Sequence, residues 1–253
     1  MWIAHTLYGC YALLLLAVLL SLAGVLAVVV PVLSWRRVCT RGLARLWLRL
    51  AGLLPQVTGL ERLPSGPCVL IANHSSYLDG VLMKAALPPR FSFVIKREAA
   101  AMPGVGFLLR RIGSQFVDRT SHGGRQRDAR RVVKHAEAGH SLVFFPEGTF
   151  DGNVGLKRFH LGAFVAASRS DVPLIPAVIH GARRALPNGR LLPRPARIRI
   201  EILEPLTFGD CDSSIERLRE RARSVMLERL QEPDLAALTS SVAAPAEPAR
   251  AKT

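Results

Sequence analysis

The amino-terminal part of the chain is almost entirely apolar. From Leu7 to Leu33 the sequence LYGCYALLLLAVLLSLAGVLAVVVPVL contains no Lys, Arg, His, Asp or Glu. At about 1.5 Å per residue, a helix of this length exceeds the hydrocarbon core of a bilayer, which is about 30 Å thick. A cleaved signal peptide would have a basic residue before its apolar run, and residues 1–6 contain no Lys or Arg. The pattern therefore predicts a helix embedded in a membrane.

The next segment has the pattern of an amphipathic helix. Arg41, Arg45 and Arg49 recur every four residues and form one stripe, while leucines and Trp47 cover much of the remainder. Such a helix can lie in the headgroup plane, with its arginines at lipid phosphates. The alternative is a helix that packs on a soluble core and keeps a solvated basic edge. Because the arginines follow the apolar run, the positive-inside rule predicts a cytoplasmic-membrane protein whose remaining chain faces the cytoplasm.

Beyond Pro67, short apolar runs alternate with longer helical patterns. The runs are CVLIA, FSFVI, SQFVD, SLVFF, PLIPAVIH and RIRIEIL. Parallel strands need helical crossovers, so this alternation predicts an α/β fold with a mostly parallel sheet flanked by helices, preceded by the membrane-embedded helical anchor. We place the anchor at 1–55 and the α/β domain at 56–235. A tail at 236–253, rich in Pro and Ala, is predicted to be disordered.

Composition adds a strong positive charge. The 34 Lys and Arg against 19 Asp and Glu give a net charge of +15, which favours nucleic acid, an acidic membrane surface or an acidic carrier as partner. No recognised nucleic-acid module accompanies the arginines, so membrane lipids are the predicted partner. The four cysteines are widely spaced and form no CxxC, which argues against a disulfide framework or a zinc site. The oligomeric state is not readable from these patterns.

Two polar motifs directly follow predicted strands. In IANHSSYLDG, His74 and Asp79 lie five residues apart, and in VFFPEGTFDG, Glu147 is delivered at a bend between Pro146 and Gly148. In parallel sheets, functional groups collect at the carboxyl ends of the strands. The two motifs are therefore expected at one edge of the sheet. A chance spacing is the alternative for the first motif, and an ordinary turn is the alternative for the second.

Two further motifs are weaker when each is taken alone. GSQFVDRT ends a strand near Arg119, whose forked guanidinium suits a phosphate but which in isolation is more typical of a surface salt bridge. VPLIPAVIHG contains Pro173 and Pro176, which suggest an edge strand or a break shaped for a ligand, or, taken alone, core. The sequence has no GxSxG, Walker A, HExxH or GxGxxG motif, so the signatures of those enzyme classes are missing.

Taken in order, NHSSYLD, GSQFVDR, FPEGT and VPLIPAVIHG resemble the four blocks of the glycerolipid acyltransferase family, typified by bacterial 1-acylglycerol-3-phosphate acyltransferase. The resemblance implies an enzyme that moves a fatty acyl group from acyl-CoA or acyl carrier protein to a lysolipid hydroxyl, without a metal or a bound organic cofactor. It implies that His74 is the general base and Asp79 its orienting partner. It assigns the acceptor site to Arg119 and to the turn of Glu147, Gly148 and Thr149.

One position departs from the family pattern. The family commonly has an arginine after Glu-Gly-Thr that helps to hold the acceptor phosphate, and here this position is Phe150. Lys157 and Arg158 follow and are candidate substitutes. The expected acceptor is 1-acylglycerol-3-phosphate, which would give phosphatidic acid in phospholipid synthesis. The alternatives are another lysolipid, such as lyso-ornithine lipid, and a non-catalytic adaptor that binds acidic membranes.

Overall fold

The computed structural model describes residues 2–118 and 122–237. The helices are α1 (Trp2–Val29), α2 (Leu33–Leu50), α3 (Asp79–Ala86), α4 (Val105–Arg111), α5 (His122–Glu137), α6 (Gly162–Arg169), α7 (Ala182–Ala185) and α8 (Ile215–Leu230). The strands are β1 (Gln56–Thr58), β2 (Val69–Ala72), β3 (Ser92–Lys96), β4 (Gln115–Val117), β5 (Leu142–Phe144), β6 (Leu174–His180) and β7 (Arg199–Ile202). Short 3-10 helices lie at Leu60–Arg62, Arg97–Ala101 and Gly209–Cys211.

The seven strands form one mixed sheet in the order β1-β7-β6-β2-β5-β3-β4. Every pairing is parallel except that of β6 with β7. Helices cover both faces: one apolar cluster joins α1, α2 and α3 to the sheet, and a second joins α5, α6 and α8 to the opposite face. Since both faces are covered, β2 and β5 are buried along their whole length. The predicted mostly parallel α/β fold is confirmed.

Strand β6 lies in the interior of the sheet, between β7 and β2. The prediction of an edge strand from its two prolines is therefore wrong, and the core interpretation is correct. The ladder between β6 and β7 begins with the pair Ala177 and Ile202. Beyond it, the Leu203 N–H donates to the Pro176 carbonyl at 2.8 Å. The missing N–H of Pro176 thus falls where β7 ends, and an interior strand tolerates the proline at that position.

Helices α1 and α2 form a hairpin that lies along the α/β domain. The Tyr8 hydroxyl donates to the Ala51 carbonyl at 2.6 Å, and the Trp47 indole donates to the Ala12 carbonyl at 2.9 Å. Helix α1 is long and apolar enough to cross a membrane, by length and composition. Many of its apolar side chains are exposed, including Trp2, Ile3, Leu7, Leu14, Val18, Val25, Val28 and Val29. We call this surface the apolar face of α1; it supports association with a membrane.

The basic stripe of α2 bonds in part to the domain. Arg41 Nε donates to the Leu87 carbonyl at 2.7 Å, and an Arg45 nitrogen donates to the Ala85 carbonyl at 3.1 Å. These two arginines bind carbonyl groups at the carboxyl end of α3. Helix α2 therefore packs on the domain, but the basic edge that the alternative interpretation expected to be solvated is partly bonded to α3. The division into 1–55, 56–235 and 236–253 stays a prediction, and residues 238–253 of the tail lie outside the described residues.

Candidate active site

The loop between β2 and α3 brings His74 and Asp79 together. His74 Nδ1 lies 2.8 Å from Asp79 Oδ2, and the same oxygen accepts the backbone N–H groups of Ser75 at 2.7 Å and Ser76 at 2.8 Å. Asp79 is fully buried, whereas the His74 side chain is 20% exposed. A carboxylate fixed in this way holds Nδ1 as the protonated nitrogen and leaves Nε2 to accept a proton. The predicted pair is therefore assembled at the carboxyl end of β2.

Two polar side chains fix this loop to the rest of the sheet. Asn73 donates from Nδ2 to the Ile179 carbonyl at 3.1 Å, and its Oδ1 accepts the Ile179 N–H at 2.7 Å. The Ser76 hydroxyl donates to the Leu186 carbonyl at 2.7 Å. Sequence reasoning missed both residues. The signal for Asn73 is its place at the end of a buried strand, where a buried amide needs a backbone partner.

Glu147 reaches the same loop from the end of β5. Gly148 adopts a φ of 82° and donates its N–H to the Phe145 carbonyl at 3.0 Å, which closes the turn. Glu147 Oε1 accepts the backbone N–H of His74 at 2.7 Å, and Oε2 accepts the backbone N–H of Lys157 at 3.0 Å. Burial raises the pKa of the Glu147 carboxyl, and these two N–H groups oppose the rise. Glu147 thus holds the backbone that carries the histidine.

Aromatic rings enclose the imidazole of His74. The ring of Phe145 stacks on it with centroids 4.5 Å apart, and the ring of Phe150 lies at 4.5 Å on a tilted plane. Tyr77 meets Phe150 edge to face at 4.8 Å, and its hydroxyl donates to Asn188 Oδ1 at 3.0 Å. The residue that departs from the family pattern therefore stands directly beside the histidine.

The two cations that are candidate substitutes for the family arginine, Lys157 and Arg158, differ in whether an acidic side chain pairs with them. Lys157 Nζ pairs with Asp151 Oδ2 at 2.5 Å, so its charge is compensated. Arg158 is exposed and bonds to no residue in the described ranges 2–118 and 122–237, and Thr149 lies exposed at the rim. Arg119, predicted to bind phosphate, lies outside the described residues. The structure thus brings five predicted residues together: His74, Asp79, Glu147, Gly148 and, through its backbone N–H, Lys157.

An apolar cavity of about 320 Å³ adjoins the histidine loop. It lies between α1, α2, α3, α4 and β3, and its wall includes Leu19, Trp47, Phe93 and Leu108. Tyr77 and Gly80 also line it. Because Tyr77 lies between His74 and Asp79 and Gly80 directly follows Asp79, the cavity meets the site at this loop. Five separate elements supply the wall of the cavity, so no single sequence motif predicts it.

The described residues contain no group of three or more His, Cys, Asp or Glu side chains that could hold a metal ion. The candidate site is instead one imidazole, two buried carboxylates and an apolar cavity. A base with a fixed tautomer beside an apolar cavity can activate a hydroxyl while an aliphatic chain is held nearby.

The comparisons with known proteins agree with this geometry. The Acyltransferase family pattern matches residues 55–180. The lyso-ornithine lipid O-acyltransferase of Pseudomonas aeruginosa is 31% identical over 73% of this chain and 77% of its own length. The 1-acyl-sn-glycerol-3-phosphate acyltransferase alpha of Bos taurus is 30% identical over 82% of this chain and 75% of its own length. The chain belongs to the acyltransferase family.

A solved structure shares the fold across nearly the whole chain. The crystal structure of the 1-acyl-sn-glycerophosphate acyltransferase PlsC from Thermotoga maritima matches with a TM-score of 0.74 and 22% identity, covering 97% of this chain and 99% of that one. Some relatives are longer: the chain spans 57% of the chloroplastic 1-acyl-sn-glycerol-3-phosphate acyltransferase BAT2 of Brassica napus and 55% of LPAT1 of Arabidopsis thaliana. It thus spans about half the length of these two plant proteins.

Proposed function

We propose that the protein is an O-acyltransferase that moves a fatty acyl group from the thioester of acyl-CoA or acyl carrier protein to the hydroxyl of a lysolipid. The observation that carries the proposal is the 2.8 Å contact between His74 Nδ1 and the buried Asp79 carboxylate, in a loop that adjoins an apolar cavity. Membership of the acyltransferase family supports it.

The residues perform the transfer in one displacement at the thioester carbonyl. His74 Nε2 takes the proton of the acceptor hydroxyl as its oxygen bonds to the carbonyl carbon, and Asp79 stabilises the imidazolium that forms. The carbon–sulfur bond then breaks, and the imidazolium returns the proton to the leaving thiolate. General-base assistance of this kind contributes typically about 10²- to 10⁴-fold. No nucleophilic serine or cysteine and no bound cofactor is required.

For the acceptor we propose 1-acylglycerol-3-phosphate, in line with the names of several relatives. Two observations favour a second candidate, a lysolipid without a phosphate beside its hydroxyl. Phe150 occupies the position of the family arginine and contacts His74, and Lys157 is already paired with Asp151. The relative from Pseudomonas aeruginosa carries the name lyso-ornithine lipid O-acyltransferase, and the second candidate belongs to that class.

The test compares wild type with His74→Ala in membranes that contain a labelled acyl donor. We expect His74→Ala to lower acyl transfer at least about 10²-fold, because it removes the general base. His140→Ala is the matched control, since His140 lies just before β5, at the amino end of the strand, whereas the candidate site lies at its carboxyl end. Undiminished turnover by His74→Ala would exclude histidine as the base.

The acceptor is tested with a panel of lysolipids whose acylated products are identified by mass spectrometry. We expect 1-acylglycerol-3-phosphate to be acylated most efficiently. Equal or faster acylation of lyso-ornithine lipid or another non-phosphorylated acceptor would reject lysophosphatidate and establish the second candidate.

We further propose that the protein lies on the cytoplasmic membrane, with α1 inserted in one leaflet and the α/β domain facing the cytoplasm. Gly9 packs on Leu192 and Pro193, and near the other end of α1 Arg111 Nε donates to the Ala27 carbonyl at 2.8 Å. About 27 Å of helix lies between these contacts at 1.5 Å per residue. The apolar face of α1 is then available to lipid along its length. The arginines that follow α1 support the cytoplasmic orientation.

A further inference from the structure

Lys84 brings an amino group to the apolar cavity beside the site. It lies one helical turn after Gly80, and both residues line the cavity. The cavity has two other polar side chains, Thr40 and Tyr77. The Thr40 hydroxyl donates to the Arg36 carbonyl at 2.8 Å, and the Tyr77 hydroxyl is bonded to Asn188. Within the described part of the chain, the Lys84 ammonium has no hydrogen-bond or ion-pair partner.

The surroundings of Lys84 supply charge of the same sign, and no acceptor is bonded to its amine within the described part of the chain. Burial, together with the charges of Arg37 and Arg41, lowers the pKa of Lys84 to about 8. Arg37 Nε donates to the Ile112 carbonyl at 3.0 Å, and Arg41 donates to the Leu87 carbonyl, so both arginines are already bonded. An amine in an apolar wall without an acceptor is unfavourable. A bound molecule that carries an acceptor atom would remove this cost.

The position of Lys84 shows which part of an acyl chain it would meet. Asp79 and Lys84 are five residues apart in α3, which corresponds to about 7.5 Å along the helix axis. The reacting carbonyl must lie at His74, next to Asp79. Lys84 therefore stands beside the chain at a distance of several methylene groups from the thioester.

We propose that Lys84 makes the cavity selective for acyl chains that carry a hydrogen-bond acceptor, such as a hydroxyl, within the chain. The inference rests on the proposed function, because it takes the cavity as the place of the donor's acyl chain. A hydroxyl satisfies the amine, whereas an unsubstituted chain leaves it without a partner. One hydrogen bond to a charged group corresponds to about tenfold in kcat/KM or more.

The experiment uses the full chain in lipid nanodiscs with two donors of equal length, stearoyl-CoA and a stearoyl-CoA hydroxylated in mid-chain. We expect wild type to prefer the hydroxylated donor by about tenfold in kcat/KM. Lys84→Met keeps an unbranched side chain that is one atom shorter and removes the donor, so it should bring the ratio close to one by improving use of stearoyl-CoA. Lys84→Arg should keep the preference. Lys134→Met, on the exposed side of α5, is the matched control.

The outcomes separate this inference from the proposed function. A wild type without preference for the hydroxylated donor, or an unchanged ratio in Lys84→Met, would overturn the role of Lys84 and leave a cation that only suits the carboxyl end of α3. Absence of acyl transfer in wild type from both CoA donors and from the matching acyl carrier protein thioesters would overturn the proposed function instead. If Lys84→Met does not fold, Lys84→Gln gives the same ratio test, with a reduced preference as the expected result.

Discussion

At the scale of single residues, one oxygen of Asp79 serves three groups. Oδ2 accepts two backbone N–H groups and contacts His74 Nδ1. Asp79→Asn keeps the shape and removes the charge, so the imidazolium formed during transfer loses its counter-charge. We expect kcat to fall about 10²- to 10⁴-fold. Steady-state acyl transfer measures this, with the exposed Asp212→Asn as control, and a kcat within threefold of wild type would contradict the orienting role.

Glu147 allows two roles to be separated by kinetics. The family resemblance assigns it to the acceptor site, whereas in the structure both of its oxygens bind backbone N–H groups of His74 and Lys157. Glu147→Gln turns an amide NH₂ toward one of these donors. We expect kcat to fall about tenfold or more with KM for the acceptor nearly unchanged, and the free energy of unfolding to fall by about 1–3 kcal/mol.

The measurement for Glu147 is the separation of kcat from KM over a range of acceptor concentrations. Glu137→Gln is the matched control, because Glu137 is exposed at the end of α5. A large rise in KM with unchanged kcat in Glu147→Gln would show that the carboxylate binds the acceptor, as the resemblance predicts.

At the scale of elements, helix α8 holds the segment that contains Lys157, and this segment in turn contacts the site. Arg223 donates to the Leu156 carbonyl at 3.1 Å and to the Lys157 carbonyl at 3.2 Å, and it pairs with Asp234. The Lys157 N–H in turn holds Glu147. A chain of hydrogen bonds thus runs from α8 to the loop of the histidine, through a single guanidinium with a forked set of donors.

Arg223→Met is expected to lower the free energy of unfolding by about 1–3 kcal/mol, because two carbonyl groups lose their donor and the partly exposed Asp234 keeps, among the described residues, only the N–H groups of Ala236 and Ala237. Arg223→Lys should recover little of this loss, since an ammonium lacks the fork. Denaturant unfolding in detergent measures both. Arg229→Met on the same helix is the control, because Arg229 is 59% exposed in its ion pair with Glu201. Equal losses of unfolding free energy for the Arg223 and Arg229 variants would contradict the supporting role of the Arg223 hydrogen bonds.

The elements also show how far sequence patterns extend. Six predicted strands are present because their apolar runs are bounded by turn residues. One of the helical patterns between the apolar runs, from Arg97 to Ile112, is divided in the structure. Pro103 and the positive φ of Gly104 end the 3-10 helix and begin α4. Strand β1 contains a single apolar residue, Val57, and helix α7 has only four residues, so neither carries a periodic pattern. Short elements of this kind are fixed by their neighbours.

At the scale of the whole molecule, the contact between His74 and Asp79 was predictable and the cavity was not. His74 and Asp79 are close in sequence, so a strand end followed by a helix start is enough to bring them together. The aromatic enclosure and the cavity depend on residues from distant parts of the chain, such as Phe150, Phe93 and Leu108. Their placement follows from the strand order, which patterns along the chain do not specify.

Acid is expected to destabilise the folded protein through His135. Burial, with His140 and Arg37 nearby, lowers the pKa of His135 from 6.5 to about 4. Because the unfolded chain binds the proton more tightly, the stabilisation is present above about pH 6.5 and is lost as the pH falls toward 4. The loss is at most about 3 kcal/mol, reduced by the partial exposure of the ring.

Thermal unfolding of wild type and His135→Gln at pH 7 and pH 5 measures this contribution. The melting temperature of wild type should fall more steeply with acid than that of His135→Gln. Lys134→Gln, on an exposed position next to His135 in α5, should behave as wild type. The same slope in wild type and in His135→Gln would assign the acid sensitivity to other groups.

The attachment of α1 at both ends makes the topology of the molecule testable. Gly9 packs on Leu192 and Pro193, and Arg111 bonds to the carbonyls of Ala27 and Val28. A helix that crossed the bilayer would carry one of these contacts to the far side of the membrane, away from the domain. Insertion in one leaflet keeps both ends of α1 on the side of the domain and turns its apolar face toward lipid.

We therefore expect Trp2→Cys and Val32→Cys to react with a membrane-impermeant maleimide from the same side of the membrane. The background carries Cys10→Ser and Cys39→Ser, because Cys68 and Cys211 are buried. Labelling is compared between right-side-out and inside-out vesicles, with Leu191→Cys, 83% exposed, marking the side of the domain. If Trp2→Cys reacts only from the side opposite to Leu191→Cys, then α1 crosses the bilayer, and its contacts with the domain do not form in the membrane.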